Sequence, residues 1–236
     1  MYKENAEVYD LIYSSIDYKK ACKKLYKLIK RYKQSNGIEL LDVACGTGSH
    51  LFYFQDKFTC TGIDINSEMI KIAKKKVKNA TFFQSDMIEM NLNKKFDIIT
   101  CLFSSIGYVK TYENLKKTIE NFSNHLKPGG IVIIEPWLTR SVYRTGLPSM
   151  TIYDEEDIKI ARLNTTKLNG DLSTMEMHYL TVKKDEDVKY FKDYHELGLF
   201  ETEKTLEIMK KANLEVIFFK KGVMVDRGLF LGVKKQ

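Results

Sequence analysis

The residues best suited to chemistry begin with the turn Ala44-Cys45-Gly46-Thr47-Gly48. Its glycines allow a sharp bend and let a ligand approach the backbone closely, because they carry no Cβ. Nicotinamide-binding turns place a third glycine three residues after the second. Leu51 holds that position here, which argues against a pyrophosphate seat. Asp64 follows Gly46 by 18 residues, at the end of the next apolar run. A carboxylate there can accept hydrogen bonds from both hydroxyls of a ribose. Asp86-Met87 stand at the end of the run after that. The acid can accept from an adenine amino group while the methionine packs on the ring, and Leu102 can cover the other ring face. Each residue also has an ordinary reading: a tight turn, a helix cap for Asp64, a turn residue for Asp86. Together they describe a seat for a nucleoside without a diphosphate.

A second group lies further along. Arg227 sits beside Gly228 and can pair bidentately with a diphosphate, or form a surface ion pair. Tyr9 and Tyr13 can pack around a cation or simply within a lid. Trp137, the single tryptophan, follows an apolar run and can wall a pocket. His178 and His195 alternate within a later stretch, where structural roles are favoured over catalysis. The four cysteines and four histidines lack metal-ligand spacing, so no metal, zinc site or disulfide framework is expected. The net charge of +7 reads mainly as a lysine-rich solvated surface. With no apolar run long enough for a membrane span and no signal-peptide core, a cytoplasmic protein is expected.

These residues need elements to hold them. Apolar positions from 18 to 32 recur at helical spacing behind a cap at Asp17. Strands are expected at 38–44, 58–65, 80–84, 96–103 and 131–135. They are separated by helices at 50–56, from Ser67 as cap, and at 113–126, the last stopped by Lys127-Pro128-Gly129-Gly130. This alternation predicts an α/β fold with a parallel sheet, whose carboxyl edge carries all the residues named first. From 151 to 200 the pattern changes to strict alternation, with Asn169-Gly170 as a hairpin signal. A small antiparallel sheet is therefore expected as an insertion. A helix at 202–212 and strands at 214–219 and 228–233 follow. The expected division is 1–137 as lid and cofactor core, 138–200 as a substrate-covering insertion, and 201–236 completing the core sheet.

The stretches Leu41-Asp42-Val43-Ala44-Cys45-Gly46-Thr47-Gly48, Gly62-Ile63-Asp64 and Leu126-Lys127-Pro128-Gly129-Gly130 resemble the motifs of class I S-adenosylmethionine-dependent methyltransferases. That resemblance implies a seven-stranded, mostly parallel Rossmann-like sheet with the last strand antiparallel, and S-adenosylmethionine as cofactor. A closer likeness runs over nearly the whole chain. Val8-Tyr9-Asp10-Leu11, Phe103-Ser104-Ser105-Ile106-Gly107-Tyr108, Glu135-Pro136-Trp137, Glu176-Met177-His178-Tyr179 and Arg227-Gly228-Leu229-Phe230 resemble their counterparts in nucleotide-linked (dTDP) amino-sugar N,N-dimethyltransferases of the desosamine and mycaminose type.

By that resemblance, Tyr9 and Tyr18 join Ala44, Gly46, Gly48, Asp64, Asp86, Met87 and Leu102 around the cofactor. Tyr2, Tyr108 and Arg227 face the substrate, with Trp137, Asn164 and His178 as further substrate-binding candidates; Tyr108 or a water chain is the candidate proton acceptor, although no strong base is evident. Asn164 stands where family members carry serine, the match at Tyr2 is offset by one residue, and Leu138 replaces a second aromatic residue after Trp137. These departures bear on which sugar is accepted. The expected partner is a small-molecule substrate, a nucleotide-diphosphate amino sugar, with a homo-oligomer permitted and no membrane. Two alternatives stand beside it: N-methylation of another small amine or amino acid, and a non-catalytic S-adenosylmethionine-binding protein. A nucleic-acid methyltransferase is disfavoured, because Phe103-Ser104-Ser105-Ile106 stands where an Asn-Pro-Pro-Tyr clamp would be.

Overall fold

Five nearly continuous apolar runs become parallel strands, and helices cover both faces of the sheet they form. The computed structural model describes residues 6–223 and 227–236. Its elements are, in order, α1 (Ala6–Ile12), α2 (Tyr18–Tyr32), β1 (Glu39–Val43), α3 (Ser49–Phe54), β2 (Thr59–Asp64), α4 (Ser67–Lys76), β3 (Ala80–Gln84) and β4 (Phe96–Cys101). A short 3-10 turn (Ser105–Val109), α5 (Tyr112–His125) and β5 (Leu126–Ile134) follow. Then come β6 (Ser149–Glu155), β7 (Ile158–Asn169), β8 (Leu172–Lys183), β9 (Lys189–Gly198), α6 (Thr202–Lys211), β10 (Leu214–Phe219) and β11 (Leu229–Lys234).

The main sheet has seven strands in the order β10-β11-β5-β4-β1-β2-β3, with β11 antiparallel to both neighbours. Strands β6 to β9 form a separate four-stranded antiparallel sheet. The fold expected from the sequence is the one observed. Strand β4 is buried along its whole length, as a central parallel strand covered on both faces must be. Alternate side chains of the sheet enter two apolar cores, one beneath α2, α3 and α4, the other beneath α5 and α6. A third core joins Val8 and Ile12 of α1 to Ile160, Met175, Met177, Tyr179 and Leu197 of the small sheet. That core holds the insertion over the carboxyl edge of β1 and β4. No helix among the described residues is long and apolar enough to cross a membrane.

Three local details differ from expectation. Asn66, not Ser67, caps α4, its side chain accepting from the backbone N–H groups of Glu68 and Met69. The Lys127–Gly130 stretch is part of β5 and not a loop. Phe96 pairs with Leu126, a register shift intervenes, and Ile98 then pairs with Ile131. Gly129 takes φ +73 within this bulge, and its carbonyl accepts from the N–H groups of Gln34 and Ser35. Helix α1 carries too short a pattern to be seen by periodicity.

Asp97 ties the back of the sheet together. Its fully buried carboxylate accepts from Gly37 N at 3.1 Å, Glu39 N at 3.0 Å and Lys127 Nζ at 2.8 Å. Gly37 is required beside it, since an added Cβ would lie 2.2 Å from a carboxylate oxygen. Burial alone would raise this carboxyl. The Lys127 hydrogen bond and the backbone donors outweigh that and hold it below its ordinary value. Because the native value is depressed, the stabilisation is present above the unfolded value of about 4 and is lost as pH falls through the native one. Asp97→Ala leaves two backbone donors and an ammonium unpaired. It should cost about 2–4 kcal/mol in urea unfolding at about pH 7, and much less at about pH 2.

Candidate active site

The turn after β1 is built from three residues in the left-handed region: Ala44 at φ 54, Gly46 at φ 55 and Gly48 at φ 77. A non-glycine residue there costs roughly 1–2 kcal/mol, so Ala44 needs compensation. The neighbouring strand supplies it. Cys45 N donates to Ile63 O at 2.9 Å, and Gly46 N donates to Asp64 Oδ2 at 2.8 Å. The other oxygen of Asp64 accepts from Asn66 N at 2.8 Å. Asp64 therefore does not cap α4; it braces the glycine turn with its carboxylate edge in a cavity wall. Burial raises its pKa, partly offset by these backbone donors. Beneath it, burial pushes the fully enclosed Asp42 up to about 7, against the lowering effect of the 2.7 Å hydrogen bond from Thr100.

The cavity has a volume of about 640 Å³, within the usual range for small-molecule sites. Tyr9, Ala44, Gly46, Asp64, Asp86 and Met87 all line it. A Cβ built on Gly46 meets no atom within 4 Å, so the chain passes an open space there. Gly48 plays a different part. It does not line the cavity, and its Cβ would press on Ala73 of α4 at 3.2 Å and on Val77 just after it at 3.1 Å. Its absence of a side chain serves the turn and the helix packing. Leu102 and Tyr18 line a smaller adjoining space shared with Tyr9, Ala44 and Gly46. Ile65, which the sequence reading passed over, lines the large cavity and is 54% exposed despite its apolar side chain. An exposed isoleucine directly after the strand-end aspartate is the signal that would have found it. These groups fit a nucleoside: a braced carboxylate for the ribose, Asp86 at the rim, and the apolar Ile65 and Met87 for a ring.

Nucleophiles around the turn are held protonated. Burial, then the Asp42 and Asp64 carboxylates, pushes the Cys45 thiol well up. Burial likewise raises the Tyr9 and Tyr18 phenols. Asp10 of α1 accepts from Thr47 Oγ1 at 2.6 Å and from Lys76 Nζ at 2.5 Å, fastening the first helix to the turn.

The opposite wall depends on two consecutive left-handed residues after β4, Phe103 at φ 52 and Ser104 at φ 64. Fully buried Glu135 holds this bend. One oxygen accepts from Phe103 N at 3.0 Å, the other from Val223 N at 3.3 Å. Ser104 Oγ donates to Pro136 O at 2.7 Å and accepts from Arg227 Nη1 at 2.9 Å. The Arg227 guanidinium carbon lies 4.1 Å from the Trp137 ring centroid, a cation–π stack. Trp137 Nε1 is fixed by Ser173 Oγ at 2.8 Å. Burial lowers the guanidinium pKa and Glu135 opposes that, so the group stays a cation. Arg227 is thus a built part of the cavity wall, not a surface ion pair.

Tyr108 also lines the cavity, and its hydroxyl lies 2.8 Å from His195 Nδ1. Burial drives His195 down to about 4, so it is neutral at physiological pH, and raises the phenol. A lone histidine in an alternating strand is usually structural, and His195 is buried beside Tyr108. Inward alternation with Asp193 and Leu197 of β9 was the available clue. Arg162 and Tyr13 line the cavity too, as does Asn164. His178 is a correction. On β8, Met175, Met177 and Tyr179 face inward, so His178 faces outward. There its Nδ1 meets Tyr190 OH at 2.7 Å and its Nε2 lies 3.4 Å from Glu176. It does not line the cavity. Tyr2 lies outside the described residues.

Comparison with known proteins agrees with this geometry. Residues 40–130 match the model of the methyltransferase domain family. The chain is 34% identical, over 98% of its length and 98% of the relative's, to dTDP-3-amino-3,4,6-trideoxy-alpha-D-glucopyranose N,N-dimethyltransferase of Streptomyces venezuelae. Among solved structures, Streptomyces venezuelae DesVI superposes with a TM-score of 0.91 at 33% identity, covering 98% of both chains. S-adenosylmethionine-bound CalS10, an amino pentose methyltransferase from Micromonospora echinaspora, gives 0.86 at 25% identity and covers 97% of both chains. This fold, matched over nearly the whole chain, therefore has an established counterpart: the chain belongs to the S-adenosylmethionine-dependent methyltransferases, in the family of the dTDP-amino-sugar N,N-dimethyltransferases.

Proposed function

We propose that this enzyme methylates the amine of a nucleotide-linked amino sugar in the cytoplasm, with S-adenosylmethionine as methyl donor. Arg227 carries the reading. It is a cation stacked on Trp137, anchored through one N–H to Ser104, and it lines the same cavity as the cofactor turn. Its remaining donors suit the oxygens of a diphosphate, which a free amine or amino acid would not need. The names of the relatives, which include dTDP-amino-sugar N,N-dimethyltransferases from Streptomyces venezuelae and Streptomyces fradiae, support the same substrate class.

When bound, S-adenosylmethionine supplies an electrophilic methyl group that the lone pair of a neutral amine can accept. Asp64 would accept from the ribose hydroxyls and Asp86 from the adenine amino group, with Ile65 and Met87 against the ring. Gly46 leaves room for the ligand where a side chain would intrude. Tyr9 and Tyr18 present aromatic surface to the positive end. On the acceptor side, Tyr108 can donate to Nδ1 of neutral His195. Its oxygen lone pairs are then turned to an amine N–H, which aims the amine's own lone pair. With His195 driven down to about 4, the pair takes up no additional proton at neutral pH, so its contribution is orientation.

Four measurements check this. Incubated with a dTDP-amino sugar and donor, the protein should yield nucleotide sugar carrying added methyl groups, seen by mass spectrometry. Methylation of free amines alone would favour the broader amine reading, and donor binding without any product would mean a binding protein. Asp64→Ala should weaken S-adenosylmethionine binding at least about tenfold in calorimetry, as expected for lost hydrogen bonds to a charged group; wild-type affinity refutes the ribose role. Arg227→Ala should raise KM for the nucleotide sugar by roughly tenfold or more with a smaller change in kcat. Tyr108→Phe should lower kcat by less than the roughly 10²-fold of weak general-base catalysis, and a loss near 10⁴-fold would instead make it an essential base.

A further inference from the structure

Arg162, on β7, is a second guanidinium in the cavity wall, and its surroundings are unusual. Its exposure is only 9%. Nη1 donates to Tyr13 OH at 3.0 Å and Nη2 to Thr151 Oγ1 at 2.9 Å. Its guanidinium carbon lies 5.3 Å from the Tyr13 ring centroid, and its buried Nε makes no hydrogen bond. Among the described residues it forms no ion pair; the side chains that accept from it are neutral hydroxyls. A buried cation without a carboxylate partner is costly to keep. Tyr13 in turn sits edge-on to Phe103, with centroids 5.1 Å apart, and 4.7 Å from the Tyr9 ring, so Arg162 fixes an aromatic wall shared by donor and acceptor.

The reaction has a proton problem that this cation addresses. A sugar amine is protonated in neutral water and has no lone pair to give. The groups facing it cannot keep its proton. His195, driven down to about 4, is too weak a base, and Tyr108 and Tyr179 are phenols raised by burial. Of the nearby acids, Asp64 is engaged with Gly46 and Asn66, Asp86 with Ile88, and Glu135 with Phe103 and Val223, while Asp193 of β9 does not line the cavity. The proton must therefore be left behind in solvent.

Resting on the amino-sugar reading, we infer that Arg162 is a positioning residue: it fixes Tyr13 in the cavity wall, and its charge makes the acceptor amine bind unprotonated. The ammonium gives one proton to bulk water on entry. The resulting neutral amine keeps the electron pair that forms the new N–CH₃ bond, as the S–CH₃ bond breaks and its electrons stay on sulfur. Like charge at short range disfavours the protonated form by about one pH unit or more.

The first test needs no variant. Protein loaded with S-adenosylhomocysteine is titrated with dTDP-3-amino-3,4,6-trideoxyglucose at about pH 7, in two buffers of different ionisation enthalpy. Release approaching one proton per sugar bound is expected. Binding without proton release overturns the inference, whereas no binding at all overturns the amino-sugar reading instead. The second test is the pH profile of kcat, which reports the bound complex. In Arg162→Met the acid limb should move about one pH unit towards alkaline pH, with kcat recovering at high pH, while Arg162→Lys keeps the limb near that of the unsubstituted enzyme. An Arg162→Met enzyme slowed equally at every pH overturns the role of the charge. If that variant does not fold, the proton count on the unsubstituted protein decides.

Discussion

The bracing of the β1 turn by Asp64 is the contact on which the cofactor side of the molecule depends. The backbone leaves β1 through Ala44 and Gly46 in the left-handed region, a conformation that is unfavourable in isolation. A carboxylate on the adjacent strand accepts the Gly46 N–H and holds it there. One side chain thus fixes the shape of the turn and also faces the cavity that the turn creates. Parallel pairing of β1 with β2 makes this possible, since Val43 and Ile63 are register partners and the next residue of each strand emerges at the same edge.

The acceptor side repeats the device with a different acid. Glu135 follows β5, and its two oxygens gather the ends of three segments: Phe103 after β4, Val223 after β10, and through them the Ser104–Arg227–Trp137 assembly. The strained pair Phe103 and Ser104 is tolerable because Phe103 N, Ser104 Oγ and Ser104 O all find partners. The insertion then closes the space with a mixed wall, Met175, Met177 and Leu197 beside Ser149, Arg162 and Asn164. The small sheet is held in place by α1 together with the 3-10 turn after β4, so the first helix borders the cavity as well as the core.

The central strands were legible because burial on both faces demands apolar runs, and the partly exposed edge strands 80–84 and 214–219 could still be placed to the residue. The insertion was legible from alternation and one Asn-Gly turn. The bulge at 127–130 was not, because Pro and Gly read locally as a stop, whereas pairing of Leu126 with Phe96 depends on a partner strand. On the site, residues at strand ends were found, since topology brings strand ends to one edge. Residues contributed by the insertion were harder. His178 and His195 look alike in sequence, and only the register of β8 against β9 settles that one faces outward and the other reaches Tyr108. Arg162 was invisible for the same reason, as nothing near it in sequence says that its face of β7 turns toward the cavity.

The protonated thiol and phenols around the glycine turn have a consequence for durability. A methyl sulfonium is an alkylating agent, and the protein that stores it is lined with groups able to react with it. Cys45 stands in the turn itself, and Tyr9 borders the same space. Thiolate and phenolate are the reactive forms, and burial together with neighbouring carboxylates suppresses both. The negative charge of Asp42 and Asp64 would ordinarily be thought of as attracting the reagent; here it also disarms the cysteine beside it. The turn thus keeps its own thiol and phenol protonated chiefly by burial, with the carboxylates adding to it at Cys45.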